Sequence, residues 1–60
     1  MESYFISGLH YKIKGYPQPL RFEYENQSTG EFIFLKYPEG QLLTFYSEAL
    51  EGAEYAVHST

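Results

Sequence analysis

The chain has 60 residues and a mass of 7.0 kDa, no cysteine, and eight glutamates against four lysines and arginines, for a formal net charge of −4. That length allows one small domain, residues 1–60, and the absence of cysteine excludes a disulfide framework. Burying its apolar surface contributes roughly 90 kcal/mol at about 25 cal/mol/Å², and ordering the chain at about 1.5 kcal/mol per residue costs about the same. A subunit so close to neutral stability gains from a partner.

The composition narrows the classes further. No apolar run approaches the roughly 20 residues of a membrane helix. The first residues lack the basic region and apolar stretch of a secretory signal. Together with the absence of cysteine, this gives a cytoplasmic expectation with no membrane association. Seven Tyr and five Phe outnumber the six Leu, three Ile and one Val, so the core must be built largely from rings. Charge is uneven: residues 1–22 carry Lys12, Lys14 and Arg21 against Glu2, whereas residues 23–60 carry seven Glu against Lys36.

In chain order, Ser3 to Lys14 predicts a long first strand. Phe5, Leu9, Tyr11 and Ile13 share one face, while His10, Lys12 and Lys14 share the other. Gly8 marks a bend within it. Gly15 to Pro19 is a breaker, with Tyr16 and Gln18 each held extended by the proline that follows. Leu20 to Glu25 alternates cleanly, placing Leu20, Phe22 and Tyr24 on the core face and Arg21, Glu23 and Glu25 outside. Asn26 to Gly30 is a polar hairpin loop.

Glu31 to Tyr37 contains Phe32-Ile33-Phe34-Leu35, apolar on both faces, which predicts a central strand covered on both sides. Pro38-Glu39-Gly40 turns the chain into a fourth strand, Gln41 to Tyr46. It carries Leu43 and Phe45 on one face and Leu42, Thr44 and Tyr46 on the other. An apolar stripe of Ala49, Leu50, Ala53, Ala56 and Val57, at spacings of three and four, predicts a short helix from Ser47 to about Tyr55. The alternative is a turn at Gly52 and a fifth strand, Glu54 to His58. The expected fold is therefore mainly β: a four-stranded antiparallel meander that could curl into a small SH3-like barrel, with a C-terminal helix. The barrel is a geometry only, because the chain has no Trp to line a proline-peptide groove.

Chemistry is sparse. His10 and His58 lie far apart in sequence, and as a metal site with a Glu they would need a third ligand and a coincidence of position, so no metal or other cofactor is expected. Ser7 and His10 would point to opposite faces of a strand, and Glu23 and Glu25 would face solvent together, so no catalytic pair is expected. The chain is read as non-enzymatic. Excess Tyr and Phe indicate a protein-binding or regulatory module that also self-associates through its apolar second face, which includes Tyr46. Inhibitors and adaptors have this size, small phage-encoded blockers of host factors among them. The alternative is a basic-aromatic patch of His10, Lys12, Lys14, Tyr16 and Arg21 that binds a nucleotide or single-stranded nucleic acid.

Overall fold

Alternating apolar residues and glycine-ended loops produce an antiparallel meander in the computed structural model, which describes residues 5–56. Strands β1 (His10–Lys12), β2 (Leu20–Asn26), β3 (Glu31–Lys36) and β4 (Gln41–Phe45) precede a single 3-10 turn, Ser47–Leu50, and then β5 (Glu54–Tyr55). All pairings are antiparallel, in one sheet of order β4-β3-β2-β1-β5. The sheet is open, with β4 and β5 at its edges, so the closed barrel geometry is not reached. No helix among the described residues is long and apolar enough to cross a membrane.

The two hairpins are closed alike. Gly30 N–H donates to the Asn26 carbonyl at 2.8 Å, and Gly40 N–H donates to the Lys36 carbonyl at 2.8 Å. Both glycines have positive φ, 81° and 73°, which a side chain at either position would resist. Each loop thereby sends the chain back along its own strand.

The predicted long first strand is reduced to β1. Gly8 (φ 90°) sits in a turn, its N–H donating to the Phe22 carbonyl at 2.9 Å, so the bend occurs where the sequence places it. Ser3 and Tyr4 lie outside the described residues. The helix predicted to Tyr55 shrinks to one 3-10 turn, and the alternative fifth strand forms, though its Val57 and His58 also lie outside the described residues. Topology gives the reason. The chain must travel from β4 to the far side of β1, four strand spacings or roughly 19 Å. Eight residues of α-helix advance only about 12 Å, so the segment must run more extended.

That crossing seals one face of the sheet. Leu50 is buried in the core and Ala53 packs against it, joined by Tyr11, Leu20, Phe22, Phe34 and Phe45 from the sheet and by Ile13 just after β1. Phe34 is fully buried, with the ring centroids of Phe22, Phe5 and Phe45 at 5.2, 5.5 and 5.6 Å. These contacts are edge-on, the arrangement that the ring quadrupole favours. The Tyr11 hydroxyl at the rim accepts a hydrogen bond from Ile6 N–H at 2.9 Å, which satisfies its polar tip.

Candidate docking face

The other face of the sheet follows from register. Cross-strand partners share a face, so His10, Arg21, Leu35 and Leu42 form one row across four strands. The next row is Tyr24, Ile33 and Thr44. Tyr46, extended at φ −104° and ψ 164°, continues the alternation of β4 past Thr44.

Tyr24 reaches this face through a β-bulge. Phe22 pairs with Phe34, but Tyr24 pairs with Ile33, which leaves Glu23 as the extra residue. The strict alternation expected for Leu20, Phe22 and Tyr24 therefore fails at its third member. Tyr24 points away from the core and is 54% exposed. Leu42 and Tyr46 are similarly open, at 59% and 53%. Ile33 is buried between its register partners, Tyr24 and Thr44. The result is an apolar strip along β2, β3 and β4 whose Tyr24, Leu42 and Tyr46 side chains stay more than half exposed.

One end of the strip is polar. The Arg21 Nε donates to Glu23 Oε2 at 2.6 Å, and this hydrogen bond is the main cause of a raised Arg21 pKa. The guanidinium lies 5.6 Å from the Tyr37 ring centroid, and the His10 ring lies 6.2 Å from the same ring. Tyr37 thus gathers the cationic end of the row. The Tyr16-Pro17 and Tyr37-Pro38 dipeptides, separate in sequence, together line a groove of about 190 Å³ with Lys36 and Glu39 at its rim. That volume is below the roughly 300 Å³ at which small-molecule pockets begin.

The six residues singled out in the sequence divide into several places. His10 and Arg21 are register partners. Lys12 is opposite Glu54 of β5, and Lys14 is exposed in the turn after β1. Tyr16 packs edge-on against Phe45, centroids 5.5 Å apart, while also lining the groove. Tyr46 follows the opposite edge strand, so it does not join the basic residues. Carboxylates accompany the cations: Glu23 with Arg21, Glu54 opposite Lys12, and Glu39 within 3.7 Å of Lys36. Sequence reasoning missed Tyr24 and Tyr37. The bulge left no local mark, whereas the recurring Tyr-Pro dipeptide was a usable signal for Tyr37.

Neither a known protein family, nor a curated protein, nor a solved structure matches this chain.

Proposed function

We propose that this protein is a non-enzymatic binding module whose work is to dock another protein on the outer face of β2, β3 and β4. The observation that carries the reading is the exposed strip itself: Tyr24, Leu42 and Tyr46 stand more than half exposed around a buried Ile33. Contiguous exposed apolar surface with a polar rim marks interaction sites, and tyrosine suits them because an apolar ring ends in a hydroxyl. The Arg21–Glu23 pair and Tyr37 supply the rim.

The rival ligand, a nucleotide or single-stranded nucleic acid at His10, Lys12, Lys14, Tyr16 and Arg21, is weakened by the carboxylates beside Arg21 and Lys12. Phosphate recognition relies on cations whose charge is not already compensated.

Affinity capture followed by quantitative mass spectrometry tests the reading, comparing wild type with Tyr24→Ser/Tyr37→Ser and with Lys12→Glu/Lys14→Glu. Proteins lost from the first variant and kept by the second are the expected outcome. Identical enrichment by all three removes the proposal. Binding of a labelled oligonucleotide at low salt that Lys14→Glu abolishes would install the rival in its place.

A further inference from the structure

The two edges of the sheet differ in a way that selects a partner. β5 has two residues, one of them Glu54, which is how natural sheets blunt an edge. β4 has five, Gln-Leu-Leu-Thr-Phe, without charge or proline, and among the described residues pairs only with β3. Nothing in its sequence protects it from another strand. We propose that β4 pairs antiparallel with β4 of a second copy, across a two-fold axis at Thr44, to give one ten-stranded sheet.

Three observations favour a second copy as the occupant. First, the chain carries a net charge of −4, yet Gln41 to Ser47 is an uncharged stretch, so two acidic copies meet there with the least repulsion. Second, the strand is self-complementary about Thr44. Centring the axis on Thr44 sets Thr44 against Thr44, Leu42 against Tyr46 on the outer face, and Leu43 against Phe45 on the core side. Aromatic–aliphatic and Thr–Thr cross-strand pairs are favourable, and Leu42 and Tyr46 are 59% and 53% exposed in the single chain. Centring on Leu43 instead would set Tyr46 against Gly40 and lose both aromatic pairs. Third, a two-fold pairing uses the same edge twice and leaves only the short β5 edges, so it closes at two copies.

The inference rests on the docking reading and deepens it. Joining the β4 edges makes the two outer strips continuous, with a Tyr24 on each side of the axis, so the docking surface becomes symmetric and bivalent.

Sedimentation equilibrium at tens of micromolar tests it, with circular dichroism on the same samples to confirm folding. Wild type should show twice the 7.0 kDa chain mass. Thr44→Lys and Thr44→Glu should each fall to single-chain mass through like charge at the axis, and an equimolar mixture of the two should recover the doubled mass. Thr44→Gln, neutral and of similar length, should stay double. A single-chain mass for wild type, or for Thr44→Gln, overturns the proposal, as does a charged variant that remains double or a mixture that remains single. Tyr24→Ser should keep the doubled mass while losing captured proteins, so failure of the pairing and failure of the docking reading are separate results.

Discussion

The two faces of β3 are nearly equal in apolar character, Phe32 and Phe34 on one and Ile33 and Leu35 on the other, but their surroundings differ. The first face is closed by the chain crossing from β4 to β5 and by the Phe5 ring; on the second the Tyr37 ring lies beside Arg21 and His10, while Tyr24, Leu42 and Tyr46 stay more than half exposed. The path of the chain, rather than the hydrophobicity of the strand, decides which face becomes core. A strand apolar on both sides therefore announces two surfaces to be covered and leaves open which one the chain covers itself.

Substitutions on the two faces break or sharpen this contrast. The largest effect is expected at Phe34, fully buried among four other rings. Phe34→Ala should cost about 3–5 kcal/mol, enough to abolish the cooperative urea transition of so small a chain. A normal transition for this variant would mean the ring cluster is not the core.

Next come the hinges that hold the faces in register. Gly30→Ala or Gly40→Ala forces a Cβ into the left-handed region, although space around both sites is open. Each should lose about 1 kcal/mol, read as a lower urea midpoint with unchanged slope. The bulge pair is weaker still. Arg21 and Glu23 form a solvent-screened pair, so Glu23→Gln should lower the urea midpoint by less than either glycine substitution. It should also leave Tyr24 facing outward, seen as an unchanged solvent accessibility of that ring by NMR. The smallest effect belongs to the outer face: Leu42→Ala in dilute solution should shift stability by less than about 0.5 kcal/mol. A loss comparable to that of Phe34→Ala would show that the outer strip is closed in the single chain.

Much of the fold was legible because its signals are local. The spans predicted from Leu20, Glu31 and Gln41 each match a strand to within one residue, since alternation and a glycine-ended loop act over a few positions. Tyr24 and the helix after Ser47 were not legible in the same way. The facing of Tyr24 depends on how β2 aligns with β3 across a bulge, and the length of the helix depends on how far apart β4 and β5 lie. Both are properties of the assembled sheet. The candidate site shares this limit: the basic residues were visible, but the carboxylates set beside them came from pairing and turn geometry.

Among the described residues, the crossing from β4 to β5 is fastened at its far end by two residue pairs and one hydrogen bond from Ala56 N–H to the His10 carbonyl, 2.9 Å long. The hairpins β2–β3 and β3–β4, in contrast, join neighbours in sequence through five residue pairs each. The molecule is thus a locally stitched meander closed by one long-range strap, and the two parts should open separately. Native-state hydrogen exchange would register the amide of Ala56 losing protection well before those of β3, in a partial opening that lifts Leu50 away from the rings while the hairpins persist.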